Sequence, residues 1–493
     1  MKYILGIDIG TTNTKAVAFD LQGKPVAQSN STYPFISEQE GYHELDPRVL
    51  FKAVTEVMTS VLKSTVAHQL AGVAFSSAMH GLIAVDEKGQ PLTNMITWAD
   101  LRSTEYAMRL KFSELGHKIY ERTGTPIHPM APLCKLMWMR EQQPDIFAKA
   151  YKFISIKEYV FFHFFGAFII DHSLASSTGL FDIYDLHWNA DALHIAGIDE
   201  SRLSTPVKTT HVMHGLAPKF VQMFGIDAST PFVAGASDGC LAHIGSNAFD
   251  PGDVSLTIGT SGAVRMMVDK PAFDPKQRIF NYVLTEKQYI TGGSLNNGGN
   301  VMQWFARNFL KKDFSSADQF EDFITEACEI PAGSDGLIFL PYIYGERAPV
   351  WDAEARGIFF GISAAHTQAH FMRAIMEGIS FALNELLITM EETVAPVKNI
   401  YASGGFIRSK KWISLLADVL GKKISVTHAE DSSAAGAAML GMIALGIADD
   451  VHKMKTFFSE KEFFEPDVKD RGVYVSNYAV YSNLYSKFKE LKP

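Results

Sequence analysis

Two aspartates stand where apolar strands run out into small-residue turns. Asp8 closes the apolar run 3–7 and leads into Gly10, Thr11, Thr12 and Asn13. Asp238 follows the apolar run 232–236, with Ser237 before it and Gly239 after it. A carboxylate beside a turn of free backbone N–H groups can hold a metal ion next to phosphate oxygens. A second carboxylate can take a proton from an alcohol. Together they meet the needs of phosphoryl transfer to a hydroxyl, which are held phosphates, a metal and a base. Aspartate at a strand end is also an ordinary turn or helix N-cap residue, so types and spacing alone leave both roles open. No Gly-x4-Gly-Lys-Ser/Thr string occurs, which disfavours a P-loop fold.

Three further turns have the same character. The segment 253–264 has the shape of the opening: with Gly259 placed on Gly10, Thr260 falls on Thr11, Ser261 on Thr12, and Thr257 replaces Asp8. Gly298 and Gly299 end a glycine-rich turn ahead of a helix expected over 301–310, and Gly404 and Gly405 follow a strand expected over 400–403. Glycine lets a backbone approach an anion closely, although glycine clusters also make plain turns. Met79, His80 and Trp98 could line a sugar, with an aromatic face for carbon and an imidazole for hydroxyls; the same residues also read as core.

The elements that must position these groups alternate between strand and helix. Asp46-Pro47 starts a helix whose apolar positions Leu50, Val54, Val57, Met58 and Val61 keep a period of 3.6. The repeat of a strand–hydroxyl turn–strand unit half the chain later suggests two similar domains, each presenting a phosphate-holding turn to one cleft. A small-residue helix over 434–445 can pack closely on a backbone or a flat ligand, and a charged amphipathic helix is expected over 476–491. The chain of 493 residues is 47% hydrophobic and 20% charged, with net charge −9, as ordinary globular proteins are. No basic-aromatic stripe points to nucleic acid. The three cysteines are widely spaced with no CxxC, as fits reduced thiols. The few apolar residues ahead of Asp8 are too short for a signal segment, and the run 159–170 is too short for a membrane helix, which needs about 20 residues. The expectation is a cytoplasmic protein with a small-molecule substrate, no nucleic acid and no membrane.

With these motifs in order, the sequence resembles the FGGY family of carbohydrate kinases in the actin-like ATPase superfamily. One family signature is similar to residues 130–142, and a second to 357–362 with 370–371 and 374–377. The Asp-Ile-Gly-Thr-Thr opening, Ser237-Asp238-Gly239, Gly345-Glu346-Arg347-Ala348-Pro349 and Ser403-Gly404-Gly405 also fit. The resemblance implies an α/β fold of two ribonuclease H-like (actin-like ATPase) domains with a cleft between them. Residues 1–247 would form the sugar and metal side, 248–446 the ATP side, and 447–493 a C-terminal tail with a terminal helix. It implies ATP and Mg2+ as cofactors, Asp8 as the metal-side acid and Asp238 as the general base. Gly10, Thr11, Thr12, Asn13, Thr260, Gly298 and Gly299 would face the phosphates, with Gly404 and Gly405 at the adenosine.

Within the family, the blocks 79–86 and 96–103 resemble the gluconate-phosphorylating branch. A xylulose-phosphorylating member more typically carries Gln-Met-His-Gly, and here Ala78 stands in place of that Gln. The expected reaction is D-gluconate to 6-phosphogluconate, with a xylulose or other polyol kinase as the alternative. A non-catalytic actin-like ATPase or sugar sensor is the alternative of another class. Met79, His80, Trp98, Arg102 and Asp238 are the expected sugar contacts. Arg102, His80 and Arg347 are candidate cations for a substrate carboxylate, with Arg102 singled out for its place two residues after Asp100. A homodimer is left open.

Overall fold

The computed structural model describes residues 2–66, 69–312, 317–427, 431–457 and 461–491. The first lobe is built on a six-stranded sheet. Its strands are β1 (Tyr3–Ile9), β2 (Asn13–Asp20), β3 (Pro25–Thr32), β4 (Leu70–Ser77), β5 (Val212–Met213) and β6 (Phe232–Ser237), in the order β5-β6-β4-β1-β2-β3. β1 is antiparallel to β2 and parallel to β4, which in turn is parallel to β6. Side chains of a strand alternate between faces. Tyr3, Leu5, Ile7 and Ile9 therefore enter one core, with α1 (Pro47–Ser64) and α3 (Ile156–Phe165) laid over it. Ile4 enters the other, which places Asp8 on the face opposite α1. The signature segment forms α2 (Pro132–Gln142), between these two helices in the chain, with Lys135 in its buried run and Arg140 in its last turn.

The helix α4 (Asp238–Ile244) leaves β6 directly, with Ser237 as its N-cap. The second lobe then repeats the plan in a seven-stranded sheet. Its strands are β7 (Asp253–Ile258), β8 (Gly262–Val268), β9 (Phe280–Thr285), β10 (Gln288–Leu295), β11 (Asn399–Ser403), β12 (Ile424–Thr427) and β13 (Lys461–Phe464), in the order β9-β10-β8-β7-β11-β12-β13. As in the first sheet, the first strand of the hairpin is antiparallel to its partner and parallel to a strand from much later in the chain. The helices of this half include α5 (Gly299–Phe305), α6 (Gln368–Thr393), α7 (Lys410–Leu420), α8 (Ser432–Ala444) and α9 (Arg471–Phe488). The molecule is thus a two-domain α/β protein of the actin-like kind. Among the described residues no helix is long and apolar enough to cross a membrane.

Two parts of the chain sit otherwise than their sequence suggests. Two elements after 446, where a tail is expected, belong to the second lobe: β13 is the edge strand paired with β12, and Tyr474, Tyr481 and Leu484 of α9 are buried in a core with that lobe's residues. The terminal helix begins earlier than expected, because Tyr474 finds the buried guanidinium of Arg373, 2.7 Å away. The small-residue helix α8 belongs by position to the second half, but packs on the first sheet and on α4. A Cβ on Gly436 would lie 2.0 Å from the carbonyl oxygen of Leu241. Only a residue without that atom lets the two backbones touch, so the small residues serve a backbone and not a flat ligand.

Candidate active site

The ends of β1, β4 and β6 bring the first lobe's predicted residues together, where open α/β sheets place their ligands. β4 sets Ser76 opposite Asp8, and its hydroxyl donates to Asp8 Oδ1 at 2.7 Å. Burial, then the charge of Asp238, pushes the Asp8 carboxyl up to about 7. Asp238 accepts a hydrogen bond from the Gly239 N–H at 2.7 Å. Burial raises its carboxyl too, against the pull of Arg265, of that N–H and of Arg347. Behind it, the buried Lys157 ammonium pairs with Asp171 at 2.6 Å and donates to the Ala236 carbonyl at 3.1 Å. The Ser173 hydroxyl donates to Ser237 Oγ at 3.0 Å. The strand end that carries Asp238 is therefore held from inside the lobe.

Met79 reaches the same turn: its Cε would lie 2.9 Å from a Cβ on Gly239. His80 adopts a left-handed backbone, φ 66°, which non-glycine residues rarely take without a surrounding structure that imposes it. Its Nδ1–H donates to the Ser177 carbonyl at 2.7 Å, leaving Nε2 as an acceptor, with the Tyr282 hydroxyl 3.4 Å away. Burial, then the charge of Lys135, pushes the imidazole down to about 3, so it is neutral. The Trp98 indole N–H points at Thr11 Oγ1, 3.4 Å away. Gly10 closes its turn by donating to the Asn13 carbonyl at 3.0 Å, while the Thr12 side of that turn is exposed.

Arg102 departs from expectation. Its Nε and Nη2 donate to the two oxygens of Asp100, each at 2.7 Å, and Nη2 also to Glu44 at 2.6 Å. Its guanidinium lies on the Tyr42 ring, 3.8 Å from the centroid. The short loop from Asp100 lets the fork fold back on the carboxylate two residues away, so the arginine is a structural clamp and not a free cation for a substrate.

Lys135 carries weight that the sequence reading gave it no credit for. Its buried ammonium donates to the carbonyls of His80 at 2.6 Å, Thr97 at 2.8 Å and Ile96 at 3.1 Å. It ties both sugar-side loops to α2. A single lysine within the buried run 132–139 was the available signal.

The second lobe's predicted turns gather at the matching end of its sheet. The Gly299 N–H donates to the Gly259 carbonyl at 2.8 Å and the Asn300 N–H to that of Thr260 at 3.2 Å, so the turns at 259–261 and 298–300 lie side by side. Gly404 follows β11 beside β7. Its φ is 101°, and a Cβ there would stand 2.5 Å from the Ile258 carbonyl oxygen. Gly259, Thr260, Gly404 and Gly405 are exposed, and their backbones can approach a phosphate or a nucleoside. Across from Trp98 stands Arg347, 4.5 Å above the indole ring. Buried Glu346 accepts from the N–H groups of Asn296 and Arg347 and from the Asn297 amide, fixing the segment that carries Arg347. Among the described residues no group of three His, Cys, Asp or Glu side chains forms a metal cage. Asp8, with the charge of Asp238 near it and exposed turns beside it, suits Mg2+, which takes one or two carboxylates and completes its shell with water and phosphate oxygens.

The profile of the FGGY family of carbohydrate kinases, N-terminal domain, matches residues 3–245, and that of its C-terminal domain matches 254–445. A gluconokinase of Bacillus subtilis (strain 168) is 43% identical over 91% of this chain and 88% of its own length. The crystal structure of gluconate kinase from Lactobacillus acidophilus superposes with a TM-score of 0.92 at 37% identity, over 99% of this chain and 98% of that one. A ligand-bound xylulose kinase from the same species gives 0.93 at 36%, over 99% of both chains. Two matched profiles in chain order, over a sheet plan that the chain repeats, make this chain a member of the FGGY family of carbohydrate kinases.

Proposed function

We propose that this carbohydrate kinase transfers the γ-phosphoryl group of ATP to a terminal hydroxyl of D-gluconate, giving 6-phosphogluconate and ADP. The observation that carries the choice of substrate is the sugar-side block 79–86 with 96–103, together with 43% identity to a gluconokinase. A ketose such as xylulose is the competing acceptor, favoured by the equal superposition on a xylulose kinase; a fold shared by both cannot choose between them.

In this reading residues 1–247 carry the sugar and metal side and 248–446 the nucleotide side. Asp238 takes the proton from the attacking hydroxyl. Burial raises its carboxyl, opposed in part by the nearby Arg265 and the Gly239 N–H, and a raised carboxyl is a stronger proton acceptor than a free one. Neutral His80 accepts a sugar hydroxyl at Nε2, Trp98 covers the carbon chain, and Met79 fills the space beside Gly239. Asp8 would hold Mg2+, with Gly10, Thr11, Thr12 and Asn13 along the phosphates and Thr260, Gly298 and Gly299 opposite them. Gly404 and Gly405 leave room for the adenosine. Bound Mg2+ would neutralise charge on the phosphoryl oxygens. Closure of the lobes would keep water from the transferred group.

The test is ADP release against a panel of sugars, polyols and sugar acids. D-gluconate should give the highest kcat/KM. A higher value for xylulose would replace the substrate, and ATP hydrolysis indifferent to every sugar would remove the kinase chemistry.

A further inference from the structure

Several arginines withdrawn from water are supplied with carboxylates, and two that face the junction of the lobes are not. Arg102 has Asp100 and Glu44, Arg278 has Asp274 and Glu392, and Arg373 has Glu377. Arg265, on β8, makes no ion pair among the described residues, and its buried Nε has no hydrogen-bond partner. It lies over the turn that follows Asp238: a Cβ on Gly239 would stand 3.1 Å from its Nε and 3.3 Å from its Nη2. Arg347 is the second. Its Nε donates to Asn296 Oδ1 at 2.8 Å and its Nη2 to the Leu295 carbonyl at 2.9 Å. These bonds aim the guanidinium over Trp98, and Nη1 has no partner among the described residues. Its neighbour Glu346 spends its oxygens on N–H groups of Asn296, Asn297 and the Arg347 backbone, not on the guanidinium.

A guanidinium taken out of water without a paired carboxylate is costly. The one carboxylate whose charge both arginines feel is Asp238, which the reaction reserves for the attacking hydroxyl, and two guanidiniums facing one junction leave N–H groups free for a further anion. We infer that Arg265 and Arg347 together bind the carboxylate of the sugar acid, and so make the site prefer an aldonate over the neutral molecule of the same carbon skeleton. This rests on the gluconate reading and names the residues that would enforce it in place of Arg102, whose fork is already filled. Planar guanidinium groups suit a carboxylate because parallel N–H groups meet its two oxygens. Both arginines ride on the second lobe, while Asp238, His80 and Trp98 ride on the first. A bound carboxylate therefore ties the second lobe to a sugar held by the first, and coupling of substrate recognition to closure follows from the placement.

The test compares D-gluconate with D-gluconamide, which replaces the carboxylate by a neutral amide of similar shape, and with D-glucitol. In the wild type, kcat/KM for gluconate should exceed that for gluconamide by more than about tenfold, the scale of a charge-assisted hydrogen-bond pair. Arg265→Met and Arg347→Met should narrow that gap to within about threefold, mostly by raising KM for gluconate, and Arg265→Lys should restore part of it. If Arg265 serves only to keep Asp238 ionised, Arg265→Met will shift the pH profile and lower gluconate and glucitol turnover alike; that result overturns the inference. If a variant fails to fold, the wild-type comparison still decides, since equal use of acid and amide overturns it as well. A wild type that phosphorylates a ketose but no sugar acid overturns the gluconate reading itself, and is told apart from the other failures by the wild-type panel alone.

Discussion

Replacing Lys135 by Met would remove the tie between the two sugar-side loops while keeping the side chain's length and apolar stem. Its ammonium offers three N–H groups to three carbonyls. Those carbonyls are not equally dependent on it. Ile96 O also accepts from the Leu82 N–H at 3.1 Å, and Thr97 O from the Asp100 N–H at 3.3 Å. His80 O has no second donor among the described residues, so it bears most of the loss. An unpaired buried acceptor costs about 1–3 kcal/mol. One fully orphaned and one poorly satisfied carbonyl give about 2–4 kcal/mol on that scale, part of which is returned because no ammonium has to be buried. The left-handed His80 loses the bond that pins its carbonyl and should relax toward an ordinary backbone, moving Nε2 away from the sugar. KM for the sugar should rise about tenfold, the equivalent of about 1.4 kcal/mol, with KM for ATP within twofold. Urea denaturation and steady-state kinetics on the same preparation measure both. An unchanged urea midpoint with an unchanged sugar KM would refute the reasoning, and an equal rise in both KM values would show a general loosening instead of a local one.

The Asp238→Asn variant should keep its affinity for the sugar and lose about 10²–10⁴-fold in kcat, the contribution of a general base; near-normal turnover would remove that role. Gly404→Ala forces a Cβ toward the Ile258 carbonyl in a left-handed backbone, a strain of about 1–2 kcal/mol per residue; ATP titration followed by intrinsic fluorescence should show roughly tenfold weaker nucleotide binding, with sugar binding little changed. Asp8 gives a pH prediction. Burial and the charge of Asp238 push its folded carboxyl up to about 7, above its value of 3.8 in the unfolded chain, so its contribution to stability is fully present below the unfolded value and is lost as pH rises through 7. Asp8→Asn removes that loss: melting temperatures without ligand should favour the variant at pH 8 and converge with the wild type at pH 4, while activity falls. A variant less stable than the wild type at pH 8 would contradict the assignment.

Punctuating residues made much of the site legible. Glycine, threonine and aspartate mark strand ends by their own conformational preferences, so Asp8, Asp238 and the turns at 259–261, 298–299 and 404–405 stood out one by one. The duplication was legible for the same reason, because a hydroxyl turn between apolar strands repeats as a local pattern. What the sequence withheld were partners set by tertiary contact. Arg102 looked like a free cation because Glu44 lies 58 positions away in the chain and Asp100 serves as readily for a turn as for a clamp. Lys135, Arg265 and Tyr282 have no local signature at all; each gains its meaning from a neighbour on another element. The tail misread had the opposite cause: residues 461–464 are a short strand in a polar context, with a pattern too brief to claim a place at a sheet edge.

The seating of α8 has a consequence for how the molecule is made. The face of the first sheet that carries Ile4 and Ala74 is closed by a helix that emerges from the ribosome only after almost the whole second lobe. Until residue 444 is available, that face and the backbone of α4 have no cover. The first lobe, though first in sequence, is finished only after most of the second has been made, and a fragment cut at residue 247 would expose an unpaired apolar surface. The backbone contact of Gly436 with α4 seats α8 without intervening side chains, so the first lobe is completed only by a helix from the second half of the chain.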